Sequence, residues 1–390
     1  MSAPLASALP TDAASATLVG RVWLPGDAGG PTPVLVRGGA LHDLSAVAPT
    51  ISELLERPDP AAAARAGAGE VVATFEALCS RVPDPAQLHL LAPCDLQPIK
   101  AAGVTFVASM LERVIEERAR GDAGRADQIR RAVVAVIGDD LSRVQPGSPS
   151  AERLKAVLIE QGMWSQYLEV GIGPYAEVFT KAPPLSAVGA ASPIGLHPES
   201  TWNNPEPEVV LAVSSRGRIV GATLGNDVNL RDFEGRSALL LGKAKDNNGS
   251  CAIGPFIRLF DDGFGLDDVR RAELSLQVHG DDGFVMTGSS SMRMISRDPA
   301  DLVAQTIGPV HQYPDGVMLF CGTMFAPTQD RDVPGGGFTH KLGDVVAIES
   351  ARLGRLVNRV DRSDHMAPWS FGLAALMRSL ARRGLLRGAA

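Results

Sequence analysis

The chain has 390 residues, of which 45% are hydrophobic and 21% are charged, and its formal net charge is −7. This length exceeds what one hydrophobic core usually supports, and the composition is that of a folded globular protein rather than a disordered one. The acidic balance, with no Lys/Arg cluster interleaved with aromatic residues, excludes a typical nucleic-acid-binding surface.

The start of the chain, MSAPLASALPTDAASATL, lacks the positive and continuous apolar regions of a secretory signal. No segment reaches the roughly 20 apolar residues that a membrane span needs. The cysteines form no CxxC pair, which argues against a zinc knuckle or a disulfide framework. We therefore expect a cytoplasmic protein with no membrane partner.

The first 95 residues combine β-type and helical signals. Residues 1–16 are small, polar and Pro-containing, which predicts a poorly ordered tail. Two β-type runs follow, ATLVGRVWLP and TPVLVRGGALHDL, and a helix N-capped near Thr50 comes next. These patterns predict a small N-terminal α+β domain over residues 1–95.

The next segments change character. FVASMLERVIEERARG, RADQIRRAVVAVIGDDLSRV and SAERLKAVLIEQG each carry apolar residues at helical spacing with charged opposite faces. They predict a helical insertion at about residues 106–165 within a catalytic domain that covers residues 96–390.

From Lys181 onward, strand patterns dominate the chain. The runs are PEVVLAV, RIVGATLGND, ELSLQVHG, GFVMTGSSSM, GVMLFCGT, DVVAIES and RLGRLVNRV, separated by Gly and Asp turns. The fold class predicted for the whole chain is therefore α+β, with a β-rich catalytic domain built as a sandwich or rolled sheet.

Three acids lie at the ends of apolar strands. Glu206 and Glu208 are one residue apart in NNPEPEVVLAV, so their side chains share one face of a strand, and Asp227 closes RIVGATLGND. Three carboxylates in one place raise each other's pKa unless a cation neutralises them. Mg²⁺ prefers oxygen ligands, so the triplet predicts a magnesium site, which Mn²⁺ could also occupy.

Taken alone, Glu-Pro-Glu before a strand is also typical of a solvated turn, and the proline favours a loop. An isolated motif of this kind has a high false-positive rate. The metal interpretation therefore depends on the segment that follows.

That segment, GRIVGATLGNDVNLRDFEGRSALLLGKAKDNNGSCAIGP, together with the acid pair before it, resembles the signature of the fumarylacetoacetate hydrolase family. The shared elements, in chain order, are an acid pair, an Asn-Asp, an Arg-Asp, a lysine and a Gly-Pro: Glu206/Glu208, Asn226/Asp227, Arg231/Asp232, Lys245 and Gly254/Pro255. Similar motifs downstream extend the resemblance over about residues 100–361. It implies the family's mixed β-sandwich roll.

By this resemblance Glu206, Glu208 and Asp227 are the metal ligands, and Lys245 is a catalytic cation near the reacting centre. Thr323 would bind the substrate carboxylate. Lys181, in EVFTKAPPLS, matches a recurrent Phe-x-Lys segment whose lysine is either structural or faces the substrate. For Lys245 the alternative is a surface lysine in a polar turn.

Upstream, PIKAAGVTFVASMLERV aligns with the family's Gly-x-Asn-Tyr-x-x-His-x-x-Glu stretch, whose His and Glu form a general acid/base pair. Here Thr105 and Phe106 replace Asn-Tyr, Ser109 replaces the histidine, and Glu112 remains. The alignment implies that Phe106 and Ser109 contact substrate and that Glu112 is catalytic. The alternative for Glu112 is an acidic, solvated helix face.

Without the imidazole, a mechanism that depends on His-Glu activation of water is disfavoured. A 2-keto acid that chelates Mg²⁺ has acidic C3 protons, and their removal by Glu112 or Lys245 gives a metal-stabilised enolate. The resemblance to the family's sugar-acid branch implies a hydro-lyase that converts a 2-keto-3-deoxy-pentonate, from xylonate or arabinonate, to 2-ketoglutarate semialdehyde.

Two alternatives stay open at this point. A hydrolase that cleaves a C–C bond of a 2,4-diketo acid would share the enolate, and a catalytically idle ligand-binding protein could keep the same residues. The expected partner is a small-molecule 2-keto sugar acid, with no nucleic acid and no membrane. The resemblance also implies a homodimer or homotetramer.

Overall fold

The computed structural model describes residues 6–120, 144–160, 162 and 164–386. Its strands are β1 Leu18–Leu24, β2 Gly30–Arg37, β3 Ala40–Asp43, β4 Val71–Thr74, β5 His89–Leu91, β6 Ile99–Gly103, β7 Glu177–Ala182, β8 Pro193–Leu196, β9 Asn203–Asn204, β10 Pro207–Val213, β11 Ile219–Asp227, β12 Asn229–Leu230, β13 Cys251–Leu259, β14 Glu273–His279, β15 Val285–Ser291, β16 Val317–Phe320, β17 Val345–Ser350 and β18 Gly354–Arg362. Its α-helices are α1 Ile51–Leu55, α2 Pro60–Ala66, α3 Phe75–Leu78, α4 Val107–Ala119, α5 Pro149–Glu160, α6 Gln166–Ile172, α7 Arg231–Glu234, α8 Leu241–Lys245, α9 Leu266–Arg270, α10 Pro299–Thr306 and α11 Leu373–Arg382. None of the described helices is long and apolar enough to cross a membrane.

Most strands belong to two sheets. The larger sheet has eleven strands in the order β4-β3-β2-β1-β13-β11-β10-β16-β6-β7, with β5 also paired to β1. The smaller sheet has five strands in the order β15-β14-β17-β18-β8. Strands β13 and β11 of the larger sheet contact β18 and β17 of the smaller one, so the sheets stack face to face. The predicted α+β fold with a β-rich sandwich is confirmed.

Strand β10 lies between two hydrophobic cores. Val209, Leu211 and Val213 belong to the core between the two sheets, and Val210 and Ala212 belong to a second core on the opposite face of the larger sheet. Side chains alternate across a strand, so a fully apolar run is the expected sequence of a strand buried on both faces. Glu206 and Glu208 therefore lie at the start of one of the most deeply buried strands of the molecule, and Asp227 ends the neighbouring strand β11.

Helices α4, α5 and α6 form a smaller unit with its own apolar cluster. Met110 and Val114 of α4 pack with Leu158 of α5 and Leu168 of α6, and Trp202 joins them. Two of the three helices predicted for the insertion are thereby confirmed as α4 and α5. The helix predicted between them, from RADQIRRAVVAVIGDDLSRV, falls almost entirely outside the described residues.

The N-terminal region differs from the prediction in two ways. The predicted disordered tail is wrong from Ser7 onward, because Ser7 donates its backbone N–H to Cys79 and Ala8 pairs with Arg355 beside β18. The run TPVLVRGGALHDL is a hairpin rather than one strand, since Gly38 and Gly39 have φ of +58° and +78°. Only glycine adopts such angles without strain, and the chain reverses there.

Strands from the first 95 residues share a sheet with strands of the predicted catalytic domain. β1 pairs with β13, whose other neighbour in the larger sheet is β11. The division of the chain at residue 95 stays a prediction.

Candidate active site

Antiparallel pairing of β10 with β11 brings the three acids together. The register sets Pro207 opposite Asn226, so the start of β10 lies beside the end of β11. Glu206 donates its backbone N–H to the side chain of Asn226 (3.1 Å), and Asp227 donates its own to the Glu206 carbonyl (3.1 Å). One carboxylate oxygen from each of Glu206, Glu208 and Asp227 lies within 4.8 Å of the others.

The three acids are 4%, 2% and 1% exposed, in chain order, and cations surround two of them. The Lys245 ammonium donates to Glu206 (2.6 Å) and to Asp227 (3.0 Å). Lys181, which is fully buried, lies 2.9 Å from the other oxygen of Asp227 and also donates to the Val228 carbonyl (3.1 Å). These contacts of Lys181 fix the position of the Asp227 carboxylate, which is the structural alternative predicted for this lysine.

Helix α4 supplies a third cation and is tied to α7 by two ion pairs. Arg113 contacts Glu206 and also lies 3.1 Å from Glu234 of α7. The neighbouring Glu112 lies 3.1 Å from Arg231, at the start of α7. The two reciprocal pairs fix the face that α4 turns toward the carboxylates.

The acids differ in their electrostatic environment. Burial acts to raise the pKa of Asp227, but Lys181 and Lys245 outweigh it, and the pKa lies below its ordinary value. The pKa of Glu208 is raised far above its ordinary value by burial and by the charges of Asp227 and Glu206. Its carboxylate accepts a hydrogen bond from the Gly322 backbone N–H (2.6 Å), which lowers the pKa of Glu208 by much less than burial and the two neighbouring charges raise it.

Lys245 is a cation in this setting. Burial acts to lower its pKa, but the carboxylates of Asp227, Glu206 and Glu234 raise it well above the ordinary value of 10.5. The predicted alternative of an exposed surface lysine does not fit a side chain that is 2% exposed.

These side chains face a cavity with an empty volume of about 350 Å³. It is lined by acids and cations together, namely Glu177, Glu206, Glu208, Asp227, Glu234, Arg113 and Lys245. Counted over the described residues, and with Lys181 next to Asp227, the site holds five carboxylates and three cations.

The donor set fits a hard divalent cation. Three buried carboxylates lie within reach of one ion, and Glu208 has no cationic partner among the described residues. Such ions take oxygen ligands and leave positions for water or substrate oxygens.

The other predicted site residues are not all brought together. Thr323 lines the cavity just after β16, and its hydroxyl accepts a hydrogen bond from the Phe325 backbone (3.1 Å). Glu112 lines a second cavity that adjoins the first. Phe106 is buried in the main core and is not among the residues that line either cavity. The side chain of Ser109 lies outside the described part of the structure.

Glu177 is a cavity residue that the sequence analysis missed. The pKa of its carboxyl is raised by burial, which Arg113 and Lys245 only partly oppose. It has no hydrogen bond or ion pair with any described residue. Gly103 lies opposite Glu177 on β6, and a Cβ at Gly103 would come within 2.0 Å of the carboxyl oxygen. The glycine thus provides the room that this carboxyl occupies.

A signal for Glu177 was present in EVFTK, because Glu177 and Phe179 alternate on one face of β7 and both line the cavity. Arg113 and Glu234 carried no comparable signal, since their partners lie far away in the sequence.

The chain resembles several known proteins in sequence and in fold. Residues 171–361 match the family model described as fumarylacetoacetate (FAA) hydrolase, C-terminal. The chain is 31% identical over 201 residues to a probable 2-keto-3-deoxyxylonate dehydratase from Haloferax volcanii, covering 52% of this chain and 65% of that protein. It is 29% identical over 186 residues to 2-dehydro-3-deoxy-D-arabinonate dehydratase from Saccharolobus solfataricus, covering 48% and 59%. The chain thus matches less than two thirds of the length of each of these relatives.

A solved structure of 2-keto-3-deoxyarabinonate dehydratase superposes with a TM-score of 0.60 at 20% identity, covering 88% of this chain and 99% of the other. A fumarylacetoacetate hydrolase from Exiguobacterium antarcticum superposes with a TM-score of 0.52 at 16% identity, covering 89% and 99%. These likenesses confirm the predicted fold. Residues 171–361 thus match the model of the fumarylacetoacetate hydrolase family, in agreement with the resemblance seen in the sequence.

Proposed function

We propose that this chain is a Mg²⁺-dependent dehydratase that converts a 2-keto-3-deoxy-pentonate to 2-ketoglutarate semialdehyde. The observation that carries the proposal is the acidic cavity, which three buried carboxylates line together with Glu177, a carboxyl without a hydrogen-bond or ion-pair partner among the described residues. The two relatives named for dehydration of such sugar acids support it. One related solved structure is a dehydratase complexed with magnesium and 2,5-dioxopentanoate.

Glu206, Glu208 and Asp227 would hold the ion, and Mn²⁺ could replace Mg²⁺ because it accepts the same oxygen ligands. When bound, the ion supplies Lewis-acid polarisation of the 2-keto group. Lys245 stays protonated between Glu206 and Asp227 and keeps both carboxylates oriented toward the cavity. Thr323 lies at the cavity wall, where its hydroxyl would orient the substrate carboxylate.

In this proposal Glu177 carries the C3 proton. Its carboxyl lines the cavity and makes no ion pair within the part of the chain that the structure describes. Burial raises its pKa toward neutral pH, where a proton carrier works best. Glu112 lies in the adjoining cavity, next to Arg231, and would contact the C4 hydroxyl and assist its departure.

The overall reaction removes one water. A C3 proton and the C4 hydroxyl leave together, and the two hydrogens that C5 and its hydroxyl then give up return at C3 and C4 as the terminal alcohol becomes an aldehyde. Each of these proton transfers needs a carrier that can both accept and donate, which a carboxyl with a raised pKa provides.

The test is a product assay. Purified protein with Mg²⁺ is incubated with a panel of 2-keto-3-deoxy sugar acids and, separately, with a 2,4-diketo acid, and the products are identified by mass spectrometry. We expect semialdehyde from the sugar acids and no pyruvate. Cleavage of the diketo acid, with sugar acids untouched, would replace the proposal by the C–C hydrolase alternative.

The cytoplasmic location and the homodimeric or homotetrameric state stay predictions. Size-exclusion chromatography with light scattering tests the second directly.

A further inference from the structure

A second cavity, with an empty volume of about 250 Å³, adjoins the carboxylate site. The two cavities share Arg113, Glu206 and Thr323 in their walls. A ligand whose keto-acid end occupies the first cavity would therefore direct its far end into the second one. The inference that follows rests on the proposed function, because that function places the keto-acid end.

The second cavity has a buried amide that the protein does not satisfy. Asn204 lines it and is 3% exposed. Its side-chain N–H donates to the Pro205 carbonyl (3.0 Å), which fixes the orientation of the amide. Its buried side-chain oxygen has no hydrogen-bond partner among the described residues. Buried acceptors in folded proteins nearly always have a donor, so such an atom calls for a ligand or a water.

Strand β12, which pairs with β9, carries a second buried amide. Asn229 on β12 lies directly opposite Asn204 on β9, and opposed residues of an antiparallel pair project from the same face. Asn229 is fully buried, and neither polar atom of its side chain has a partner among the residues that the structure describes. Two adjacent amides thus share a buried polar region next to the cavity.

In the second cavity, unlike the first, the charged side chains of the wall pair with groups of opposite charge. Arg231 lies 3.1 Å from Glu112, donates to the Pro327 carbonyl (3.3 Å) and stacks on the Trp202 ring at 4.5 Å. An ion pair with a satisfied charge does not require an ionic ligand, but it still offers N–H donors and carboxylate acceptors. A hydroxyl group both donates and accepts, so it complements this wall and the Asn204 oxygen together.

We propose that the second cavity is a subsite for the hydroxylated far end of the substrate and that Asn204 is a specificity-determining residue within it. The substrate class is then a 2-keto acid of at least five carbons with hydroxyl groups beyond C3. An apolar tail would leave the Asn204 oxygen without a donor, and a second carboxylate would add negative charge beside Glu112 and Glu206.

Equilibrium binding tests this without turnover. The full-length protein with Mg²⁺ is titrated calorimetrically with D-xylonate, D-arabinonate and 2-hydroxypentanoate. All three offer a carboxylate and a C2 hydroxyl and have five carbons, and only the two sugar acids carry hydroxyls at C3 to C5. We expect at least one sugar acid to bind about tenfold more tightly than 2-hydroxypentanoate, equivalent to about 1.4 kcal/mol.

Asn204→Leu should abolish that preference, and the exposed Asn248→Leu should preserve it. Equal affinities in the unaltered protein, no binding of any of the three ligands, or a folded Asn204→Leu protein that keeps the preference would each overturn the subsite. The comparison within the unaltered protein needs no variant to fold. Selective binding of a sugar acid without turnover of any 2-keto-3-deoxy acid would overturn the dehydratase and leave the subsite in place.

Discussion

Two groups of charged side chains in this molecule resemble each other in composition and differ in the balance of positive and negative charges. In the group around Arg331, the guanidinium binds Asp344 (2.7 Å) and Asp282 (3.0 Å), and Lys341 also binds Asp282 (3.0 Å), so two cations meet these two carboxylates. His340 lies 3.0 Å from Asp344. In the carboxylate site, the described residues supply five acids and three cations around a cavity. A matched group stabilises the segment that carries it, whereas an unmatched group next to a cavity marks the place where a ligand completes the charge.

The Arg331 group also has a clear structural task. Asp282 lies in the hairpin between β14 and β15, and Asp344 directly precedes β17. Arg331 joins these elements to the long segment that follows β16. That segment carries Thr323 in the walls of both cavities, so the balanced group anchors a wall of the unbalanced one.

The Glu208→Gln variant is the sharpest test of the difference in charge balance between the carboxylate site and the Arg331 group. Removing a ligand should lower turnover at least about 1,000-fold and weaken Mn²⁺ binding, followed by electron paramagnetic resonance, because the ion loses one of three carboxylates. The metal-free protein should instead be stabilised by about 1 kcal/mol, since a buried carboxylate repelled by two others is removed.

Glu208→Gln with unchanged Mn²⁺ affinity would show that the triplet does not bind the metal. Thermal unfolding in chelator measures the second effect, and a large destabilisation there would contradict the uncompensated state of Glu208.

Asp344→Asn is the matched change in the other group. It should destabilise the protein by about 3 kcal/mol, because Arg331 is left buried with a partner missing. Urea unfolding measures this, and Mn²⁺ binding by the folded variant should remain normal. A neutral effect on stability would mean that the Arg331 group does not anchor the cavity wall.

The Glu177→Gln variant tests whether the Glu177 carboxyl takes part in the reaction. We expect kcat to fall about 100-fold with unchanged Mn²⁺ affinity, as for loss of a proton carrier. Glu112→Gln tests the carboxyl in the adjoining cavity in the same way. For both variants the pH dependence of kcat is measured, and we expect one limb of the profile to change only in a variant that has lost a proton carrier.

Gly103→Ala is the companion change for Glu177. The added methyl group would meet the end of the flexible Glu177 side chain, so we expect the carboxyl to move and kcat to fall by a smaller factor, about tenfold. Normal kcat in both the Gly103→Ala and Glu177→Gln proteins would remove Glu177 from the mechanism.

The smallest expected effect is the pH dependence of the balanced group. Burial lowers the pKa of His340 below 6.5, although Asp344 opposes this. The unfolded chain therefore binds the proton more readily, so the stability that His340 contributes is present above pH 6.5 and is lost as pH falls toward its folded-state pKa. We expect the free energy of unfolding to fall by up to about 1 kcal/mol per pH unit between pH 6.5 and the folded-state pKa of His340.

Urea unfolding between about pH 7.5 and about pH 5.5 measures the slope, and His340→Gln should flatten it. For Asp344 burial acts to raise the pKa, but hydrogen bonds from His340 and Arg331 hold it below 3.8, outside this window. An unchanged slope in His340→Gln would assign the pH dependence to other groups.

The sequence was sufficient to locate the acids and insufficient to locate their partners. Glu206, Glu208 and Asp227 end or begin apolar strands, so local patterns predict that they meet. The contacts of Arg113 with Glu206 and Glu234 join α4 to residues about a hundred positions later, and no local pattern encodes such a pairing. The N-terminal segment was mispredicted because backbone hydrogen bonds, such as that from Ser7 to Cys79, depend little on side-chain type.

The position of β10 between two cores has a consequence for how the site assembles. If β10 slipped by one residue against β11, every apolar side chain would change faces, and Glu208 would turn away from Asp227. Cation affinity is thus coupled to the whole sandwich in an all-or-none manner. Titration with a divalent ion should consequently report the fraction of molecules that are natively folded, as a spectroscopic probe of global unfolding would.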